Sequence, residues 1–341
     1  MEILGIKDQD LVSFASNYNP TDNRNLLDQL FPNEKTENPE VAYMKATKDP
    51  RGLMAQVYSY NTVTKMRSRV PFSAEKVKKM LIKDKIALDE KWAELYDQYK
   101  DNALIKEIVF NDAGHMSDNV RTRALVMKGE VLATGKFTVK ENNVDTTVDF
   151  GVPAGNKYTK TWSTGTPDIM GDLQKITDDA KNAGYTLTRA VTSSKVLGYM
   201  RNDVNIHKAI LGVNYDKVLS VGELNAFLKE NYGFVVVAFD DTYLVENADG
   251  TKTSKRYFPE NEIVFFGGSA TDTLGRGFYG VTPTERMARI SGLVTPAQSR
   301  NIYVYCDIWR NEDPEELLTR AEAQFVPVLA DPNNLYIATI S

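Results

Sequence analysis

Residues 234–268 read FVVVAFDDTYLVENADGTKTSKRYFPENEIVFFGG, and the rest of the chain is organised around them. The stretch opens with Phe234 to Phe239, a short Val-rich apolar run bounded by Gly233 and Asp240. That is the pattern of a strand buried on both faces, and the window is too short for a helix. Thr242–Val245 and Lys255–Phe258 then flank Glu246 to Gly250, where Asp249-Gly250 supplies the positive φ of a tight hairpin turn. Pro259 has no N–H to give to a ladder and closes the second of these strands, and Ile263 to Phe266 begins another buried one.

Working upstream, Ser220-Val-Gly-Glu223 has capping-box spacing before a helix that ends near Tyr232. Thr166-Pro167-Asp168 combines an N-cap, a proline at the first helical position and an acid in the first turn. Ile169, Leu173, Ile176 and Ala180 form the buried stripe of that helix, and Gly184 stops it. A strand over Thr186–Val191 and a helix from Ser193 to about Met200 complete an α/β lobe spanning 167–290.

The first half of the chain is built differently. Residues 1–35 scatter their apolar positions among Asn, Asp and Pro, the composition of an arm with little core of its own. Val41–Met44, Met54–Tyr60 and Lys65–Val70 are β-like pieces of an extended hairpin, which is marginal in water unless it packs on something else, in this chain or another. After Pro71, with Ser73 as N-cap, Val77, Leu81, Leu88, Trp92, Leu95 and Tyr99 fall at helical spacings. A second, long helix follows Asn111 or Ser117, carries Val120, Ala124, Met127 and Val131 on one face, and ends at Gly135. Thr138–Lys140 and Asp145–Phe150 predict a hairpin. Strands around Ile302–Trp309, Ala323–Leu329 and Leu335–Ile340 close the chain and are expected to return to the lobe formed before residue 166, with Glu312 to Glu316 read as the acidic start of a helix.

At 341 residues, two lobes are expected. A net charge of −5 and a pI near 5.4 argue against general phosphate-backbone binding. The single cysteine, Cys306, excludes an internal disulfide framework and reads as a buried, inert thiol. His115 and His207 have no metal-ligand spacing, Asp240-Asp241 has no second carboxylate partner by spacing, and no apolar run approaches the roughly 18 residues that span a bilayer. Gly275-Arg-Gly277-Phe-Tyr-Gly280 spells the dinucleotide fingerprint but lacks the strand–turn–helix context that the chemistry requires, and is read as a glycine-rich loop. No cofactor, metal or catalytic residue is expected.

One local contrast remains. Lys65 to Lys85 holds eight basic residues against Glu75 and Asp84, a net of +6 in an acidic chain. It is a solvated face or a docking surface for an acidic patch on another subunit; nucleic acid is a third reading, weakened because Met66 to Val70 has no stacking aromatics. Lys65, Arg67, Arg69, Lys76, Lys78 and Lys79 are the candidate inter-subunit contacts.

The order of segments resembles the major capsid protein of tailed bacteriophages, lambda-type or E family, with the Hong Kong 97-like fold. The residues that carry the likeness are Leu125-Val-Met-Lys-Gly129 leading to Thr134-Gly-Lys136, Tyr243 through Gly250 into Tyr257-Phe-Pro-Glu-Asn261, and Ile263-Val-Phe-Phe266. Gly277-Phe-Tyr-Gly-Val-Thr-Pro283 and Val326-Pro-Val-Leu-Ala-Asp-Pro332 add to it. The resemblance implies an α+β fold with an N-terminal arm (1–35), an extended hairpin loop (36–80), a spine helix and peripheral domain (81–166), an inserted α/β axial domain (167–290) and peripheral return strands (291–341). It further implies a non-enzymatic shell protein that forms pentamers and hexamers around packaged double-stranded DNA without sequence-specific binding. Its partners would be a scaffolding protein, a portal and a decoration protein, with no membrane; it would assemble in the bacterial host cytoplasm and reside in the virion. The alternatives are an encapsulin-like compartment, or a cytoplasmic α/β enzyme holding a phosphate ligand at 275–280.

Overall fold

The computed structural model describes residues 2–3, 6–18, 25–44, 51, 53–64, 66, 74–88, 102–212, 217–247, 249–267 and 273–341. In chain order its elements begin with β1 (Glu2–Ile3), β2 (Ile6–Lys7), α1 (Asp8–Asn17), α2 (Leu26–Leu30), β3 (Asn33–Lys35), β4 (Glu40–Met44), β5 (Ala74–Lys78), β6 (Met80–Leu88) and α3 (Asn102–Thr134). There follow β7 (Lys136–Glu141), β8 (Val144–Asp149), β9 (Lys157–Lys160), α4 (Ile169–Asn182), β10 (Arg189–Thr192), α5 (Ser194–Asn202), α6 (Val204–Leu211) and α7 (Val221–Tyr232). The rest are β11 (Val235–Ala238), β12 (Thr242–Glu246), β13 (Lys252–Arg256), β14 (Glu262–Phe266), β15 (Gly275–Gly280), α8 (Pro283–Ile290), α9 (Pro296–Ser299), β16 (Tyr305–Glu312), β17 (Glu315–Leu329) and β18 (Leu335–Ile340).

Two compact units emerge. The first takes Met1–Val41, Lys76–Lys128 and Gly275–Val328; the second takes Ala42–Glu75, Gly129–Leu274 and Leu329–Ser341. The chain therefore changes unit after 41, 75, 128, 274 and 328, where the sequence reading bounds its inserted lobe at 166 and 290.

Unit two is organised on a mixed sheet of order β11-β10-β14-β18-β9. β10 runs parallel to β11 and β18 to β9, whereas β14 is antiparallel to both of its neighbours. Ala190, Val236, Ile263, Phe265, Tyr336 and Ala338 meet the apolar stripes of α4, α5 and α7 in one core. On α4 the stripe is Ile169, Leu173, Ile176 and Ala180, as the periodicity predicts, but the N-cap is Asp168, whose Oδ1 accepts from the Gly171 N–H at 2.9 Å, two residues beyond the expected Thr166. A cap contributes about 1 kcal/mol, and each large buried side chain about 1.5–3 kcal/mol. The stripe therefore decides that the helix forms, and the cap trims its end. In α7 the Ser220–Glu223 capping box is present, and hydrogen bonds from Lys217 and Ser220 hold the Glu223 carboxyl down at about 2.

The β12–β13 hairpin turns at a positive-φ Gly250, but its second strand is Lys252–Arg256, displaced from the expected 255–258. The five-residue register from Thr242↔Arg256 to Glu246↔Lys252 uses the polar residues, which releases Phe258 to full burial. The final strand, β18, pairs on one side with β9, which precedes residue 166, and on the other with β14, so it lies in the sheet of unit two, whereas β16 and β17 lie in the sheet of unit one.

Unit one has a sheet of order β16-β17-β15-β3, with β6 also laddered to β17. That ladder corrects the helix expected from Ser73 onward. Met80–Leu88 pairs antiparallel with Leu317–Phe325, residue for residue, and Val77 and Lys79 are buried where Lys76 and Lys78 are exposed. The period is two, and a four-residue spacing such as Val77 to Leu81 does not by itself distinguish a helix from a strand. Trp92, Leu95 and Tyr99 lie outside the described residues. The arm also has more core than expected: Leu11, Val12, Ala15, Leu27, Leu30 and Phe31 are buried, with Leu11 packed beside Val109, Ile308 and Leu317. Glu312 to Glu316 is the β16–β17 turn, with Arg310 on Glu315, instead of a helix start. The long helix begins earlier, at Asn102, and ends before Gly135 as expected.

Candidate assembly interface

The segment 51–66 sets the site apart. Leu53, Met54, Val57, Tyr60, Val63 and Met66 are 80, 84, 98, 100, 91 and 100% exposed. Singly scattered exposed apolar side chains are ordinary, but six within fourteen residues are a concentration of exposed apolar surface. A turn lies at Tyr60-Asn61, near the Asn61-Thr62 separation expected from the sequence; Asn61 takes φ 63°, and the Thr62 hydroxyl donates to the Ser59 carbonyl at 2.6 Å. Met54–Tyr60 has no regular ladder, and Lys65 and 67–70 lie outside the described residues.

The root of this loop is tied down. β4 and β5 form a two-stranded pair. The Tyr43 hydroxyl donates to Glu75 at 2.8 Å, and its ring meets Phe150 edge-on at 5.2 Å. Burial, and then the Glu75 carboxylate, raise the Tyr43 phenol to about 12. Nearer the tip, Arg51 donates to the Asn182 carbonyl at 2.8 Å.

The structure divides the basic candidates. Lys76 points outward, with Glu40 at 3.9 Å, and Lys78 is exposed beside it. Lys65, Arg67 and Arg69 lie outside the described residues. Lys79 is turned inward instead: it is 7% exposed and donates to the carbonyls of Thr36 and Asn38 at 2.8 and 2.6 Å. Desolvation, with lesser contributions from Lys35 and Arg286, lowers its ammonium to about 8. A strand reading would have found it, because Lys79 shares the face of buried Val77.

The other chemical candidates resolve as structure. Gly275–Gly280 is a strand, not a glycine-rich loop. A Cβ on Gly275 would lie 2.1 Å from the Val328 carbonyl oxygen, and one on Gly277 would lie 2.9 Å from Lys128 Cε and from the Phe325 ring. These glycines make room for neighbouring backbone and side chains. Cys306 is buried 3.3 Å from the Ser117 hydroxyl, and burial pushes its thiol up to about 12. His207 is tied to the Arg201 carbonyl, and Asp240 is held by Ser194 and Arg256. Among the described residues no cluster of His, Cys, Asp or Glu could hold a metal, and no helix is long and apolar enough to cross a membrane.

Two compact units carrying a long apolar loop, tied at its root and bare at its tip, make the subunit of a larger assembly. The sequence matches the family described as phage major capsid protein E over residues 14–340, and the chain belongs to that family: it is a shell-forming capsid protein of a phage virion. Two solved structures share the fold over nearly the whole chain. One, described as a prophage capsid protein of E. coli CFT073, has 14% identity and a TM-score of 0.63, with 98% of this chain and 99% of that chain covered. The other, a phage-related protein of Bordetella bronchiseptica RB50, has 10% identity and a TM-score of 0.54, with 97 and 96% covered. No curated protein matches the sequence.

Proposed function

We propose that copies of this chain form pentamers and hexamers that close around double-stranded DNA, each loop lying over a neighbouring subunit. The near-complete exposure of Leu53, Met54, Val57, Tyr60, Val63 and Met66 carries this reading, since burying that surface requires a second molecule. Arm, extended loop, spine and peripheral domain, and axial domain then correspond to 1–35, 36–80, 81–166 with 291–341, and 167–290. Lys76 and Lys78, with Lys65, Arg67 and Arg69, steer the loop onto its neighbour. A scaffolding protein, a portal and a decoration protein take part in assembly in the host cytoplasm, and the mild negative charge lets packaged DNA slide along the wall. The role is structural and involves no catalysis.

Electron microscopy tests this directly. Wild-type protein, with scaffold supplied, should yield rings, shells or tubes. Val57→Asp with Tyr60→Asp should fold and melt as wild type yet form none. Normal particles from that variant would remove the loop from the interface.

A further inference from the structure

Lys128 of α3 is 1% exposed, and so is Asp28 of α2. The Lys128 ammonium donates to Asp28 Oδ1 at 2.6 Å and to the carboxamide oxygen of Asn33, in β3, at 2.7 Å. The Asn33 amide nitrogen donates to that same Asp28 Oδ1 at 3.3 Å. One carboxylate oxygen thus touches both the amine and the amide nitrogen. The Phe325 ring lies 5.6 Å from Lys128 Nζ. Gly277 leaves the room in which the two side chains meet: a Cβ there would stand 2.8 Å from Asn33 Oδ1 and 2.9 Å from Lys128 Cε. Asp28, Asn33 and Lys128 all belong to unit one.

The charges of this cluster do not balance. Arg121 already pairs with Asp28, at 2.9 Å to Oδ2, so Lys128 brings a second cation to one carboxylate. Surplus charge is costly inside a protein, and a lysine desolvated beside another cation gives up its proton readily and becomes a nucleophile. Desolvation accordingly lowers the Lys128 ammonium to about 8, with Asp28 opposing the shift and Arg121 adding to it. The amine so freed lies against a carboxamide, with a carboxylate in reach of the protons to be moved.

We infer that Lys128 and Asn33 of one chain join in an isopeptide bond. Asp28 takes a proton from the ammonium, and Nζ attacks Asn33 Cγ. The Cγ–Nδ2 bond then breaks, and Nδ2 leaves as an ammonium ion with the two protons that Nζ has lost. Asp28, having relayed them, ends as the carboxylate it began as. The new Nζ–Cγ amide needs no oxidant or cofactor, and the surplus buried charge is gone. The bond closes residues 33–128 into a covalent ring, a constraint on the unfolded chain of the kind a disulfide imposes.

Mass spectrometry of the full-length protein tests it. The denatured wild-type chain should weigh less than its sequence by one ammonia. Trypsin should release Asn25–Lys35 joined to Ala124–Lys136, since an acylated Lys128 is not cut. Lys128→Arg, which keeps the charge, and Asn33→Ser should each restore the full mass. An unchanged sequence mass after long incubation of the folded wild type above about pH 8, where the amine is free, overturns the inference without any variant. So does a mass deficit with no branched peptide, as an asparagine succinimide would give. The bond forms within one subunit, so its presence or absence is read independently of whether particles form.

Discussion

Val57 and Val236 are the same residue at opposite extremes: one is 98% exposed in the extended loop, the other 1% exposed in β11. Both stretches are rich in apolar residues. In 234–266 the alternation is matched by helices of the same chain, so Ile263 and Phe265 reach 0% exposure. In 53–66 no described element covers the side chains. Apolar content alone therefore does not say where a segment is buried; what matters is whether the chain supplies the opposing surface. The sheet buries its apolar side chains within the chain, and the loop leaves its own exposed.

That contrast can be broken by substitution. Phe265→Ala should cost the subunit about 3–5 kcal/mol through lost burial and the cavity left behind, read as a lower urea midpoint. Tyr60→Ala, which deletes an aromatic ring of the same size, should shift that midpoint hardly at all and weaken assembly instead. Equal destabilisation by both would mean that the free subunit covers its loop.

A pH series sharpens it. Burial raises the Glu262 carboxyl at the start of β14 to about 7 from an ordinary 4.5, and its Oε2 is buried without a hydrogen-bond partner. The folded chain therefore holds this proton after the unfolded chain has lost it. The stability contributed is complete below about 4.5 and disappears as pH rises through about 7. Urea midpoints should show Glu262→Gln flattening the fall between those values, whereas loop substitutions leave the profile as it is.

The smallest effect belongs to the exposed lysines. Lys76→Glu with Lys78→Glu should change subunit stability by about 0–1 kcal/mol, with an unchanged melt, and slow particle formation followed by light scattering. A wild-type assembly rate would make these two lysines a solvated face.

The elements of unit two were legible because each has its own local signature: the Ser220–Glu223 box, the Ile169–Ala180 stripe, the Asp249-Gly250 turn. Residues 74–88 were not, because Val77 and Leu81, four apart, satisfy a helical spacing as well as a strand, and the ladder to Leu317–Phe325 that decides between them lies far away in sequence. The same distance hid the arm's contribution to the core. Of the candidate contacts, an isolated run of lysines shows charge but not direction, so Lys79 looked like Lys78 until the strand period separated them. Gly275 and Gly277 were legible as positions demanding glycine; the cause is the nearness of Val328, Phe31 and Lys128, which no local pattern records.

The place of β18 bears on the order in which the molecule is made. This strand completes the unit-two sheet between β14 and β9, yet it follows the last segment of unit one in the chain. On the ribosome, which adds about 5–20 residues per second, the sheet begun by β9 and β10 must wait for the whole of 275–328 to emerge before it can close. Its pairing is long-range, and such contacts form slowly. A nascent chain halted anywhere in that interval has β14 without its β18 neighbour, so truncated products are poor substitutes for a finished subunit. The closing of the unit-two sheet thus waits on β18.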